Sequence, residues 1–316
     1  MIVRWSLEDL PDTLAEVAIR RPFVIGSERW RKLDVPGSAG WWSEVPSEQA
    51  AVPPEADGIV AIGGGSAIDT GKYASAQSGL PVVHVPTTYS GAEWTTFYGI
   101  RSPDRRIQGG GAGAIPVAIV YDVDLTLDLP QPESAGTALN ALAHCAEALY
   151  VESHNSDADV QALAGTRIIN ASLPAVIADG RDRDAREELL KGAMHAGRAL
   201  SLSGLALSHA MAQALGGHFG APHGAMNALC LPPALEFNQA HAPQAVTRFG
   251  GALRGDAVER TRELARLGGF HRLRDEGIPA DELGAVAEAA SKRAGNRANP
   301  RPASPQEIEE MLRSIW

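Results

Sequence analysis

The sequence predicts an α/β fold, with an N-terminal domain built on a parallel sheet and a C-terminal domain that is all helical. Short apolar runs bounded by Gly and Pro occupy the first 122 residues, whereas Ala- and Leu-rich segments with helical spacing fill the chain after about Asp128. The 316 residues suffice for two domains at roughly 100–200 residues each. We place these domains at residues 1–130 and 131–316.

The first half alternates strands with helices. Runs rich in β-branched residues indicate buried parallel strands at residues 23–26, 58–62, 81–86 and 117–122. Residues 66–78 have the length of a crossover helix between the second and third runs. Residues 33–57, which are interrupted by Gly and Pro, predict an irregular connection with one edge strand near residues 40–44.

The second half is predicted to be helical nearly to its end. Helical spacing covers residues 135–153, 157–173, 184–201, 204–215, 224–237, 258–267, 279–293 and 304–315. We expect a linker at residues 129–134. The helix breakers are expected at Pro174, Gly180, Pro222, Pro232 and Pro233.

Composition excludes several classes of protein. The net charge of −10 argues against a nucleic-acid binder. Two distant cysteines, Cys145 and Cys230, fit neither a disulfide framework nor a Cys-rich zinc site. No apolar run approaches the roughly 20 residues that span a bilayer, and the N-terminus lacks the pattern of a signal peptide. We therefore expect a cytoplasmic protein with no membrane partner.

A glycine-rich turn joins the second predicted strand to its helix. Gly63, Gly64 and Gly65 let the backbone turn sharply and approach a ligand closely, and Ser66 follows them at the helix start. A helix N-terminus attracts anions, so this turn suits a phosphate or pyrophosphate. Asp69 could favour the helix dipole or bond a ribose or nicotinamide group. The alternative is a tight turn that binds no ligand.

A polar loop follows the third predicted strand. Thr87, Thr88, Tyr89 and Ser90 lie at the C-terminal end of that strand, where open α/β sheets bind ligands. An ordinary polar loop would have the same composition.

Histidines recur in the helical half. Asn140 and His144 are four residues apart, so they project from one helix face. His209 and His223 follow on later segments. Histidines with one carboxylate would suit a divalent metal, but Asn140 supplies a neutral amide. Spacing alone does not show that these side chains converge.

Taken together, these motifs resemble the iron-containing alcohol dehydrogenase superfamily over roughly residues 55–240, and more loosely to the end. The motifs are GGGSAID from Gly63, PTT from Pro86, NALAHCAEA from Asn140, His209, and PHG from Pro222. PTTYSGAE, NALAH and the NPRP that begins at Asn299 look most like the motifs of maleylacetate reductases.

The resemblance implies a dehydroquinate synthase-like fold with the active site in a cleft between the domains, and we expect a homodimer. It also implies NAD(P)H binding and a catalytic set at the positions where metal-dependent members hold their metal. The implied cofactor residues are Gly63, Gly64, Gly65, Ser66, Asp69, Thr87, Thr88 and Ser90, and the implied catalytic residues are Asn140, His144, His209 and His223.

Asn140 departs from the metal-dependent pattern, which has Asp at this position, and maleylacetate reductases share the change. We therefore expect that no tightly bound metal is required. Iron or zinc held by His144, His209 and His223 is the alternative. In addition, Gln213 stands where many metal-dependent relatives carry a second His.

The predicted function is an NAD(P)H-dependent reduction of a small keto acid or enone acid, with Arg105 and Arg106 as candidates to bind substrate carboxylates. A metal-dependent alcohol or polyol dehydrogenase is the first alternative. A non-redox cyclase, or an inactive binding protein on the same scaffold, is the second. Glu28 favours NAD and Arg29 favours NADP, so the choice of cofactor stays open.

Overall fold

The computed structural model of the protein describes residues 1–101, 106–109 and 115–316. The chain divides into two compact units, Met1–Leu129 and Pro130–Trp316. The first unit contains a parallel sheet, and the second is built from helices. The predicted fold class is thereby confirmed.

The first unit is organised around a six-stranded, all-parallel sheet with the order β1-β8-β5-β4-β2-β3. A separate antiparallel pair consists of β6 and β7. The elements in chain order are β1 Ile2–Arg4, α1 Leu10–Glu16, β2 Pro22–Gly26, β3 Gly40–Trp42, β4 Gly58–Gly63, α2 Gly65–Ser78, β5 Val82–Pro86, β6 Tyr98–Arg101, β7 Arg106–Gly109 and β8 Pro116–Val120.

Both faces of the large sheet are covered, which explains its continuous apolar strands. Along β4, Val60 and Ile62 pack into one core with Leu10 of α1. Ile59 and Ala61 pack into a second core, on the α2 side. The central strands β4 and β5 thus become rigid supports for the loops that leave their ends.

The sequence analysis missed β1, α1, β6 and β7. Strand β1 has only three residues, too few to show a period, and it is defined by pairing with β8 more than a hundred residues later (Ile2 with Ala118). Such pairing across a long separation has no local signature.

The second unit contains ten α-helices, all within a fully described stretch of chain. They are α3 Gln131–Ala148, α4 Ser156–Ala178, α5 Arg183–Leu202, α6 Leu207–Phe219, α7 His223–Gln239, α8 Pro243–Leu253, α9 Ala257–Leu267, α10 Leu283–Ser291, α11 Ala294–Arg297 and α12 Pro305–Ser314.

Helix α11 has only four residues, which form one turn. The predicted helix over residues 279–293 is wrong in extent, because the regular part is only α10 and a break at Lys292 and Arg293 separates it from α11. The predicted linker at residues 129–134 is shorter than expected. Helix α3 begins at Gln131, since Pro132 lies in the first turn, where a missing N–H costs nothing.

Three of the predicted helix breakers lie inside helices. Pro174 lies inside α4, and Pro232 and Pro233 lie inside α7. Each Pro removes one backbone hydrogen bond. Pro232 and Pro233 are buried, so the packing of α7 offsets that loss. Helix α8 was missed, although Val246, Phe249 and Leu253 follow helical spacing.

Helix α4 corrects the expectation that no segment is apolar enough to span a bilayer. Within the described residues it alone is long and apolar enough by length and composition. It packs against α3, α5 and α8, and its residues Ala162, Ile169 and Leu173 are fully buried. These contacts are those of a core helix.

Candidate active site

The two predicted cofactor loops lie side by side at the carboxyl edge of the sheet. Strands β4 and β5 are neighbours, and Gly63 at the end of β4 pairs with Pro86 at the end of β5. The backbone N–H of Thr87 donates to the carbonyl oxygen of Gly63 at 3.0 Å. The glycine turn and the polar loop thus leave the sheet from adjacent positions, at the edge where such sheets bind ligands.

Glycine is required in this turn. Gly63 has a φ of 148°, which L side chains rarely adopt. A Cβ on Gly64 would lie 2.9 Å from Thr88 Cγ2. Helix α2 begins at Gly65, and Ser66 is exposed in its first turn. The turn therefore offers a helix N-terminus with no side chain over Gly64, a geometry that fits a cofactor diphosphate.

The carboxylate of Asp69 is held in place by two contacts within the first unit. Its Oδ2 accepts a hydrogen bond from the N–H of Gly99 at 2.9 Å, and its Oδ1 lies 3.3 Å from Lys72 Nζ. Lys72 is fully buried and also donates to Thr95 Oγ1 at 2.9 Å and to the carbonyl of Phe97 at 3.0 Å. Burial lowers the pKa of Lys72, and the Asp69 carboxylate opposes that shift.

Lys72 links the first turns of α2 to the segment that leads into β6. The sequence analysis missed it, although it lies three residues after Asp69 and so on the same helix face. Its role is to hold Asp69 in place.

The hydroxyls of the second loop differ in exposure. Thr87 is buried, whereas Thr88 and Ser90 are partly exposed. Thr88 Oγ1 lies 3.5 Å from Ser90 Oγ, and Ser90 Oγ accepts from the N–H of Ala92 at 3.4 Å. Thr88 and Ser90 are therefore the two hydroxyls of this loop that a ligand can reach.

In the second unit, the structure brings the three predicted histidines together. His144 comes from α3, His209 from α6 and His223 from the start of α7. The rings of His144 and His209 stack with centroids 4.7 Å apart, and those of His209 and His223 are 5.9 Å apart. His144 and His209 are buried, but His223 is exposed.

Asn140 joins this cluster through its side-chain oxygen. Asn140 Oδ1 lies 3.3 Å from His209 Nε2 and accepts a hydrogen bond from Asn227 Nδ2 at 2.8 Å. Asn227 Nδ2 also lies 3.0 Å from His223 Nε2. Asn227 was not predicted, although it follows His223 by four residues and so shares its helix face. We call Asn140, His144, His209, His223 and Asn227 the histidine cluster.

Glu147 fixes the other side of His209. This buried carboxylate lies 2.7 Å from His209 Nδ1 through Oε2. It also accepts from the backbone N–H groups of Ala206 at 2.8 Å and His209 at 3.0 Å. Ala206 is the N-cap of α6 and has no side chain to cap it, so Glu147 satisfies the helix start from α3. Glu147 lies within the NALAHCAEA motif but was not predicted to have a role.

Two glycines allow α7 to reach α3. A Cβ on Gly224 would lie 2.5 Å from the carbonyl carbon of Gly136, so the two backbones are in direct contact. Gly224 follows His223, and Gly136 lies one turn before Asn140. This close approach explains how Asn227 reaches Asn140.

The environment of His144 differs from that of the other two histidines. Burial lowers its pKa well below 6.5, and the neighbouring His209 and His223 lower it further. Its Nδ1 is buried and has no hydrogen-bond partner among the described residues. His144 is therefore a neutral ring with one polar atom available.

The described donor groups are not arranged as a metal site. In the described parts of the chain no three His, Cys, Asp or Glu side chains are arranged to hold a metal ion. Position 140 supplies no carboxylate, and Asn140 Oδ1 and His223 Nε2 both lie within hydrogen-bond distance of Asn227 Nδ2. The alternative in which His144, His209 and His223 act as metal ligands is not supported by this arrangement.

The remaining residues singled out from the sequence are Gln213, Arg105 and Arg106. Gln213 contacts Arg293, whose Nη1 donates to Gln213 Oε1 at 3.2 Å and whose Nη2 donates to the Gln213 carbonyl at 3.0 Å. Arg105 lies outside the described residues, and so does the side chain of Arg106.

Comparisons with known proteins show the family of this chain. Residues 134–316 match the Fe-containing alcohol dehydrogenase family, C-terminal, and residues 48–123 match the iron-containing alcohol dehydrogenase family. Maleylacetate reductase from Burkholderia cepacia is 37% identical over 263 residues, which is 83% of this chain and 74% of that protein. Maleylacetate reductase from Sphingobium indicum is 37% identical over 261 residues, 82% of this chain and 73% of that protein.

Solved structures agree as well. Maleylacetate reductase from Agrobacterium tumefaciens has a TM-score of 0.89 and 28% identity, covering 100% of this chain and 95% of that one. An alcohol dehydrogenase, described as putative, from Ralstonia eutropha JMP134 has a TM-score of 0.91 and 32% identity, with the same coverage. The chain therefore belongs to the iron-containing alcohol dehydrogenase family and is an NAD(P)-dependent oxidoreductase that resembles the maleylacetate reductases.

Proposed function

We propose that this protein uses NAD(P)H to reduce a small keto acid or enone acid, with maleylacetate or a close analogue as its substrate. The observation that carries the proposal is the histidine cluster, in which the amide of Asn140, hydrogen-bonded to its neighbours, stands where the metal-dependent pattern has a carboxylate. The similarity to maleylacetate reductases supports the substrate class.

The first unit binds the cofactor. When bound, NAD(P)H supplies the hydride that is added to the acceptor carbon. The turn of Gly63, Gly64, Gly65 and Ser66 holds its diphosphate through the start of α2. Asp69 faces the nicotinamide side, and the hydroxyls of Thr88 and Ser90 are the further cofactor contacts of this unit; Thr87, which is buried, supports the loop from within.

The second unit stabilises the negative charge that develops on the substrate and supplies the proton. Reduction of a carbonyl, or of a C=C bond conjugated to one, leaves negative charge on a substrate oxygen. A hydrogen bond from the exposed His223 stabilises that charge in place of a cation, and this ring donates the proton. His209, whose two ring nitrogens face Glu147 and Asn140, supports the cluster from behind. His144, whose pKa is lowered by burial, acts as a neutral hydrogen-bonding partner.

A substrate panel tests the proposal. Purified protein is mixed with NADH or NADPH and with maleylacetate, other oxo acids, aldehydes or diols, with and without a chelator, while the absorbance of the reduced nicotinamide is followed. We expect turnover to be fastest with maleylacetate and to be insensitive to chelation.

Two outcomes would contradict the proposal. Turnover confined to alcohols or aldehydes and abolished by chelation would identify a metal-dependent dehydrogenase. NAD(P)H binding without turnover of any acceptor would point to a non-redox or inactive protein. A cytoplasmic homodimer is also part of the proposal, and light scattering coupled to size-exclusion chromatography tests the dimer.

A further inference from the structure

Asn227 has no assigned role, yet it contacts two members of the histidine cluster from the second turn of α7. Its Nδ2 lies 2.8 Å from Asn140 Oδ1, 3.0 Å from His223 Nε2 and 3.2 Å from the backbone oxygen of His223. The side chain is fully buried. We propose that Asn227 is a positioning residue that turns the amide of Asn140 so that its oxygen faces His209. This inference rests on the proposed function of the cluster.

The orientation of Asn227 follows from its contact with the backbone. A carbonyl oxygen only accepts hydrogen bonds, so the amide atom that faces the His223 carbonyl must be the nitrogen. Asn140 must then present an acceptor to Asn227, which is Oδ1. The same oxygen is the atom closest to His209 Nε2, at 3.3 Å. A backbone carbonyl of α7 thus determines which end of Asn140 faces the histidine.

Asn140 needs such a partner because the two ends of an amide are nearly equal in shape. Without a donor at position 227, this contact would no longer oppose a half-turn of the side chain that exchanges its oxygen for its NH₂ group. His209 would then face a donor where it now faces an acceptor. Glu147 fixes the opposite side of the ring through Nδ1, so His209 could not adjust without losing that contact.

A comparison within α7 separates this role from a structural one. Asn238 is also buried and uses both ends of its amide: Nδ2 donates to Asn299 Oδ1 at 3.0 Å, and Oδ1 accepts from Asn299 Nδ2 at 2.9 Å. Asn227 uses its nitrogen, while its Oδ1 is buried with no hydrogen-bond partner among the described residues. The contacts of Asn227 with Asn140 and His223 are therefore made by its side-chain nitrogen alone.

A double-mutant cycle tests the inference. We expect Asn227→Ala to lower kcat by about 10- to 100-fold, the usual range for residues that orient an active-site group, with little change in the KM for NAD(P)H. In an Asn140→Ala background the same change should have a clearly smaller effect, because no amide remains to be oriented and only the contact with His223 is lost. Asn227→Asp, which keeps the shape but presents only acceptors, should lower kcat as much as Asn227→Ala does.

Asn238→Ala is the matched control. It removes a buried amide from the same helix, so it should lower the melting temperature, leave kcat near the wild-type value and combine additively with Asn140→Ala. An equal loss of kcat from Asn227→Ala in both backgrounds, or a normal kcat in Asn227→Asp, would overturn the inference.

A spectroscopic measurement makes the result independent of turnover. The ¹⁵N resonances of the His209 ring report the hydrogen bond at Nε2. We expect them to shift in Asn227→Ala and Asn227→Asp but to stay unchanged in Asn238→Ala. Unchanged His209 resonances in folded Asn227 variants would refute the positioning role, whereas a wild-type protein that turns over no acceptor would refute only the proposed function.

Discussion

At the scale of single residues, the histidine cluster depends on two buried groups to which the sequence analysis gave no role. Glu147 receives three hydrogen bonds from α6 and its first histidine, and Asn227 connects α7 to Asn140. Both residues act on the histidines through orientation. Their substitution should therefore affect turnover more than cofactor affinity.

Glu147→Gln tests that expectation directly. An amide can accept at one end only, so one of the three bonds to Ala206 and His209 must be lost. We expect kcat to fall by about 10- to 100-fold and the free energy of unfolding to fall by about 1–3 kcal/mol, as measured by steady-state kinetics and urea denaturation. Glu133→Gln, an exposed change on the same helix, should alter neither quantity, and wild-type kcat in Glu147→Gln would refute the role of this carboxylate.

Asn140→Asp tests whether the missing carboxylate at position 140 limits metal binding by the histidine cluster. The added carboxylate completes a set of one Asp and three His. We expect Zn²⁺ affinity, measured by titration calorimetry, to rise about tenfold or more, since a unit charge at contact distance is worth about 1 kcal/mol or more even in water. Asn238→Asp should leave the affinity unchanged. Equal affinities in wild type and Asn140→Asp would show that position 140 does not govern metal binding.

His84 should make the first unit sensitive to acid. Burial, with the nearby Lys72, lowers its pKa from 6.5 to about 3. The folded state disfavours the charged ring, so this contribution to stability is complete above pH 6.5 and is lost as the pH falls toward 3. One proton changes the free energy of unfolding by at most about 1.4 kcal/mol per pH unit. His84→Gln should reduce this slope in urea titrations, whereas the exposed change His271→Gln should not; equal slopes in all three proteins would contradict the assignment.

At the scale of elements, the direct contact of α3 with α7 determines where His223 and Asn227 lie. Gly224→Ala would place a Cβ 2.5 Å from the backbone of Gly136, which forces the helices apart. We expect a loss of about 1–3 kcal/mol from overpacking, together with reduced kcat. Gly251→Ala in α8, where a Cβ meets nothing within 4 Å, should be neutral or stabilising by up to about 1 kcal/mol. Similar stabilities for the two variants would show that the contact between α3 and α7 can relax.

At the scale of the whole molecule, cofactor binding and proton transfer are assigned to different units, and mutations should separate them. Gly64→Val would place a branched side chain against Thr88 and over the start of α2. We expect NAD(P)H affinity, followed by cofactor fluorescence, to fall strongly, while the His209 resonances stay as in the wild type. Gly79→Ala, at the other end of α2 with nothing within 4 Å, is a steric control that should keep normal affinity despite the positive φ of that residue. Normal affinity in folded Gly64→Val would refute the placement of the diphosphate.

The sequence by itself determined the fold class, most of the regular elements and four of the five residues of the histidine cluster. Strands β2, β4 and β5, helix α2 and most of the helices after Asp128 could be predicted because their signals are local: β-branched runs, helical spacing and glycine turns. The glycine turn and the four positions from Asn140 to His223 could be named from motifs alone.

Only the tertiary structure decided how these residues contact one another. That His144, His209 and His223 share one cluster depends on α3, α6 and α7 packing together, and that packing depends on the backbone contact of Gly136 with Gly224. Strand β1 exists because Ile2 pairs with Ala118. Glu147 and Asn227 gain their roles in the same way, because a hydrogen bond between residues far apart in sequence leaves no trace in the local pattern from which elements are predicted.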